Sequence, residues 1–152
     1  MTYETAITDE PVLLVADDDA DIRSILVDVL KEDGHAVEWA ECGAGLLSRL
    51  SRRPDPSLVL TDLKMPWLDG LEVLERAARV GLQVPAILFT GHLDHDVHQR
   101  ARALQVPVLP KPLDLSRLRE EVSTVLDAQS FWAEPEHDGY WPIRPRSPRR
   151  AG

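Results

Sequence analysis

Asp17, Asp18 and Asp19 follow directly on the apolar run of residues 12–16, and Asp62 follows the run 58–61. Thr90 closes the run 86–89, and Lys111 comes two residues after the run 106–109. Carboxylates brought together repel one another, and each favours its protonated form unless a cation offsets the charge. A hard divalent ion with oxygen ligands answers that need. Mg²⁺ in particular suits one or two carboxylates completed by water and a substrate phosphate. A lysine beside such a cluster can pair with a carboxylate at rest and with a phosphoryl oxygen later. Thr90 offers a hydroxyl to the same oxygen, and Gly91 after it leaves access open. A carboxylate next to a metal and a lysine is suited to accepting a phosphoryl group.

The elements that must gather these residues are legible as an alternation. Val12–Ala16 is unbroken and apolar, as a strand buried on both faces should be. Ile22, Ile25, Leu26, Val29 and Leu30 then recur at helical spacing, with Gly34 as a stop. Val37 and Trp39 alternate with polar neighbours as a second strand. Leu46, Leu47 and Leu50 mark a second helix, which Pro54-Asp55-Pro56 breaks. The unit repeats with a strand at 58–61 and a helix that turns Leu71, Val73, Leu74, Ala77 and Ala78 inward. It repeats again with a strand at 86–89 and a helix carrying Val97, Ala101 and Leu104. A short strand at 106–109 precedes a helix striped by Leu115, Leu118, Val122, Val125 and Leu126. Five strands alternating with five helices predict an α/β fold with a parallel sheet covered on both faces. In such a sheet, ligands bind in the crevice beyond the carboxyl ends of the strands, where all the polar residues above fall.

The chain of 152 residues suits one domain, divided as an N-terminal extension 1–10, a domain 11–127 and a C-terminal tail 128–152 rich in Pro and Arg. The net charge of −9 is uneven: the tail holds four arginines against three acids, and residues 1–127 hold 23 acids against 13 basic residues. Such an acidic body repels phosphate backbones, which argues against nucleic-acid binding. No apolar run approaches a membrane span, so no membrane insertion is expected. The polar, acidic start carries no secretory signal, and the single Cys42 suits a reducing cytosol, so the expected location is cytoplasmic.

The segments LLVADDDADIRSIL, LVLTDLKMPWLDGLEVL, ILFTG and VLPKPLD resemble the four signature blocks of response-regulator receiver domains, over residues 11–126. The resemblance implies a flavodoxin-like, doubly wound (βα)5 fold with strand order 2-1-3-4-5. It implies that Asp62 is the phosphoacceptor in a Mg²⁺-dependent reaction. Asp18, Asp62 and the backbone carbonyl of Lys64 would be direct metal ligands, with Asp17 acting through a water. Thr90 and Lys111 would bind the phosphoryl group, and the Lys111–Pro112 peptide would be cis. The implied activity is that of a stand-alone response regulator, which catalyses only its own phosphorylation and dephosphorylation. Its partners would be a sensor histidine kinase or a histidine phosphotransfer protein and an unidentified downstream protein. Two residues depart from the family pattern. Val108 stands where an aromatic is usual, three residues before the lysine, and Trp67 stands where a glycine is common.

Other readings compete. The acidic triplet also suits a helix N-terminal charge cluster. Asp17, Asp19 and Asp21 mimic the start of an EF-hand loop, but its sixth position is Ile22, not the required glycine. A haloacid-dehalogenase-type phosphatase also places an aspartate after its first strand, but expects Thr or Val where Asp21 stands. His92, His95 and His98, spaced by three, read as a solvated helix face in preference to a metal site. Cys42 reads as a small residue after the second strand. Phe131, Trp132, Tyr140 and Trp141 are four of the eight aromatics and suit docking, either on the chain's own body or on a partner. At the level of the whole protein, a docking protein that works without phosphotransfer and a phosphate sink for a shared kinase remain alternatives.

Overall fold

The structure, a computed structural model, describes residues 11–132, with side chains through residue 128. The extension 1–10 and the tail beyond Trp132, with Tyr140, Trp141 and the four arginines, lie outside the described residues. Five strands, β1 Val12–Ala16, β2 Ala36–Ala40, β3 Leu58–Asp62, β4 Ala86–Thr90 and β5 Val108–Pro110, alternate with five helices. These are α1 Ala20–Glu32, α2 Gly43–Leu50, α3 Gly70–Arg79, α4 His95–Ala103 and α5 Leu115–Trp132. The sheet is wholly parallel in the order β2-β1-β3-β4-β5, the order implied by the family resemblance. The fifth strand begins two residues after its apolar run begins, and α5 continues to Trp132, past the point at 127 where its apolar stripe ends.

Strand alternation sorts the core into two faces. Leu13 and Val15 of β1 join Leu58 and Leu60 of β3 against Leu26 and Leu30 of α1 and Leu118 and Val122 of α5. Leu14, Ala16 and Val59 point the other way, onto Leu46 and Leu50 of α2 and Val73 and Leu74 of α3. A third cluster seats α4, through Val97 and Ala101, on Leu63, Leu71 and Leu88. Every residue of β3 and β4 is buried, which is why both read as unbroken apolar runs.

One helix face differs from its sequence reading. In α1 the side chains turned fully inward are Leu26, Val27 and Leu30, whereas Ile25 is 52% exposed. The stripe is rotated so that Val27, not Ile25, meets the core. Among the described residues, no helix is long and apolar enough to cross a membrane.

Candidate functional site

The acidic triplet divides its labour. Asp19 is the N-cap of α1, and its Oδ1 accepts from the backbone N–H of Asp21 at 2.9 Å and of Ile22 at 3.2 Å. The helix-terminus reading therefore holds for Asp19 alone. Asp17 and Asp18 are left to the crevice, where they meet Asp62: one carboxylate oxygen from each lies within 4.8 Å of the others. Asp17 is fully buried and Asp62 nearly so, while Asp18 is exposed.

Lys111 reaches this cluster from the end of β5. Its Nζ lies 3.1 Å from Asp62 Oδ1 and 3.8 Å from Asp17 Oδ2. The Lys111–Pro112 peptide is cis, in line with the resemblance. Asp17 Oδ1 accepts from the Asp19 N–H at 2.9 Å, but its Oδ2 is buried without a hydrogen-bond partner. Burial chiefly, with the charges of Asp62 and Asp18 adding to it, pushes the Asp17 carboxyl up to about 6, against the opposing pull of its backbone hydrogen bond and of Lys111. A buried carboxylate oxygen without a donor, facing two further carboxylates, is the arrangement that a hard cation with oxygen ligands satisfies. The residues present therefore fit a divalent metal.

Thr90 is buried at the end of β4, yet its hydroxyl is not turned to the carboxylates. It accepts from the His92 N–H at 3.0 Å and donates to the His92 carbonyl at 3.4 Å, which closes the first turn of the β4–α4 loop on itself. A Cβ at Gly91 would stand 3.7 Å from the Lys111 Cβ, an ordinary contact, so this glycine faces the lysine stem. Lys64 is exposed just beyond Asp62. Trp67 is fully exposed, with a left-handed φ of 72°, the conformation for which a glycine is the usual choice. Val108 is half-buried against the cluster that seats α4.

Two contributors were not singled out from the sequence. Gly70 opens α3 against the central strand, where a Cβ would collide with the Asp62 carbonyl and the Thr61 hydroxyl. The signal was present in Asp69-Gly70, a capping residue followed by the smallest possible first helical residue. Arg23, on the first turns of α1, donates from Nη1 to the Asp17 carbonyl at 2.8 Å.

The remaining candidates fall away from the site. His92, His95 and His98 are exposed and form no metal-holding group among the described residues. Cys42 caps α2, its Sγ accepting from the Gly45 N–H at 3.3 Å. A cavity of about 310 Å³ lies at the opposite end of the sheet, between the ends of α3 and α4 and the middle of α5, remote from every carboxylate above.

The response regulator receiver domain model matches residues 13–123. Response regulator receiver protein CpdR of Brucella abortus is 34% identical over 122 residues, covering 76% of this chain and 97% of its own. Sporulation initiation phosphotransferase F of Bacillus subtilis is 31% identical over 120 residues, covering 78% and 95%. Among solved structures, response regulator protein TrrA of Thermotoga maritima in complex with Mg²⁺ and BeF superposes with a TM-score of 0.68 at 28% identity, covering 76% of this chain and 99% of its own. Acids, hydroxyl and lysine at the carboxyl ends of the strands, a 2-1-3-4-5 parallel sheet and a family match over most of the described residues lead to one assignment: the chain belongs to the response regulator receiver domain family.

Proposed function

We propose that this chain is a stand-alone response regulator that takes a phosphoryl group onto Asp62 from a phosphohistidine, on a sensor histidine kinase or a histidine phosphotransfer protein. The observation that carries the reading is the pairing of a buried Asp62 with Lys111 at 3.1 Å, beside a buried Asp17 oxygen that has no hydrogen-bond donor. In the transfer, an Asp62 carboxylate oxygen forms the O–P bond as the N–P bond breaks, and the imidazole keeps the electron pair and takes up a proton. Lys111 exchanges its carboxylate partner for a phosphoryl oxygen. The Thr90 hydroxyl leaves the His92 backbone to donate to another phosphoryl oxygen, so the first turn of the β4–α4 loop loses its tie. A divalent cation held directly by Asp18, Asp62 and the Lys64 carbonyl, and by Asp17 through a water, would offset the negative charge of acids and phosphoryl oxygens alike.

Stand-alone action is supported by the two relatives named above, nearly all of whose length the chain covers. The Mg²⁺ requirement is supported by the Mg²⁺-bound state of TrrA and by the acidic cluster here. Output is then phosphorylation-dependent binding of a downstream protein in the cytoplasm, and the only chemistry catalysed is the chain's own phosphorylation and dephosphorylation. The experiment is intact mass after incubation with a small phosphodonor and Mg²⁺. A single phosphoryl adduct is expected on the wild type, absent without Mg²⁺ and absent in Asp62→Ala. An adduct that persists in Asp62→Ala, or none on the wild type, would overturn the reading.

A further inference from the structure

The main chain of Asp17 is tied to the edge strand β2 directly through its N–H, and through its carbonyl to Arg23 of α1, which stacks on β2. Its N–H donates to the Ala40 carbonyl of β2 at 3.2 Å, and its carbonyl accepts from Arg23 Nη1 at 2.8 Å. The guanidinium carbon of Arg23 in turn lies 4.6 Å from the ring centroid of Trp39, also on β2. That distance is within cation–π range, and the indole is the strongest of the aromatic partners for a cation. Arg23 forms no ion pair among the described residues, although acids stand at 17, 18, 19 and 21. What orients its planar fork is one ring face and one carbonyl. Trp39 keeps 54% of its surface exposed, which is more than a core-filling role would leave.

We propose that Trp39 and Arg23 are a positioning pair for the acidic site: the Trp39 face holds the guanidinium flat, so that it clamps the Asp17 carbonyl and fixes the direction in which the Asp17 and Asp18 carboxylates project. The inference rests on reading that site as a divalent-cation site. Its physical content is pre-organisation. Carboxylates already aimed at one point bind a cation more tightly than carboxylates that must be ordered by it. A planar fork is required because an ammonium on a flexible stem lacks the fixed donor geometry that can lie on a ring and reach a carbonyl together.

The test is a Mg²⁺ titration of the labelled full chain, followed by the amide NMR shifts of residues 17–19 and 62, with melting of each metal-free variant as the control for folding. Trp39→Leu keeps an apolar side chain on β2 but removes the ring face, and should weaken Mg²⁺ binding about three- to fivefold. Trp39→Phe retains a ring face and should stay within about twofold of wild type. Arg23→Lys, which keeps the charge, should lose affinity at least as much as Trp39→Leu. A loss shared equally by Trp39→Phe and Trp39→Leu would reduce Trp39 to packing and overturn the pair. Wild-type affinity in both Trp39→Leu and Arg23→Lys would overturn it while leaving the cation site intact. No saturable response in the wild type would remove the cation site itself, and the positioning pair with it. Should Trp39→Leu not fold, Arg23→Lys carries the decision.

Discussion

Arg100 holds Glu75 through two hydrogen bonds, Nε to Oε2 at 2.9 Å and Nη2 to Oε1 at 2.7 Å, and thereby joins α4 to α3. A third contact, Nη1 to Asp96 at 3.2 Å, keeps the guanidinium along its own helix. The hydrogen bond from Arg100 holds the Glu75 carboxyl below its usual value, and Arg100 is correspondingly pushed up. A carboxyl whose folded value is depressed contributes stability that is fully present above its unfolded value, near 4.3, and is lost as the pH falls through the folded value. Glu75→Gln should therefore lower stability at neutral pH by about 1 kcal/mol at most, because both side chains keep some exposure to water, and lower the melting temperature with it. The difference from wild type should close in acid below the usual glutamate range. Equal melting-temperature differences at pH 7 and pH 3 would sink the attribution. Amide exchange in α4 should also quicken at neutral pH, since this pair supplements a small apolar seat.

Asp17→Asn should raise the melting temperature of the metal-free protein at neutral pH. The substitution removes a fully buried negative charge beside Asp62 and keeps an oxygen to accept from the Asp19 N–H. The same variant should bind Mg²⁺ more weakly, so that the stability gained by added Mg²⁺ shrinks. Thermal melts with and without Mg²⁺ check both halves. A variant less stable than wild type in the absence of metal would contradict the burial argument.

Trp67 makes its prediction by comparison of two substitutions. Its side chain is fully exposed, so Trp67→Ala loses no packing and keeps the left-handed backbone, leaving stability nearly unchanged. Trp67→Gly relieves the left-handed conformation and should be more stable than the alanine variant by about 1 kcal/mol. Denaturant midpoints at constant slope measure the difference.

Gly70→Ala should be among the most damaging single changes outside the core. Its methyl group would meet the Asp62 carbonyl and the Thr61 side chain, neither of which can move without shifting the central strand. A loss of about 3 kcal/mol is expected from overpacking against backbone. A variant as stable as wild type would mean that α3 can slide along β3 without cost.

Much of this was legible in the residues themselves. The first, third and fourth strands each read as an apolar run cut off by a charge or hydroxyl, because strands buried on both faces leave polar chemistry only at their ends. The phase of α1 was not legible. Ile25 and Val27 are both apolar and lie on either side of the stripe, so periodicity alone cannot choose which meets the sheet. The state of Thr90 was not legible either, since a hydroxyl two residues from a backbone N–H can close its own turn as readily as serve a distant oxygen. Arg23 was hidden for a different reason: its partners are a backbone carbonyl and a ring face sixteen residues away, and neither leaves a mark in a one-letter sequence.

Asp62 closes a strand whose five residues are all buried and which is flanked on both sides, by β1 and by β4. Its own residue is in register with Phe89, and the next N–H, that of Leu63, still donates to the Phe89 carbonyl at 3.0 Å. The Asp62 carboxylate is thus mounted on a strand buried throughout and paired on both sides, as a striker's target is mounted on bedrock. What surrounds it is held by a few exchangeable contacts: a hydroxyl on the His92 backbone, a lysine shared between two carboxylates, a helix on a small apolar seat and one arginine fork. The proposed phosphotransfer would displace these contacts and leave the strand in place. Reversal would then require only that they return, so the proposed switch could be set and reset without any part of its sheet being rebuilt.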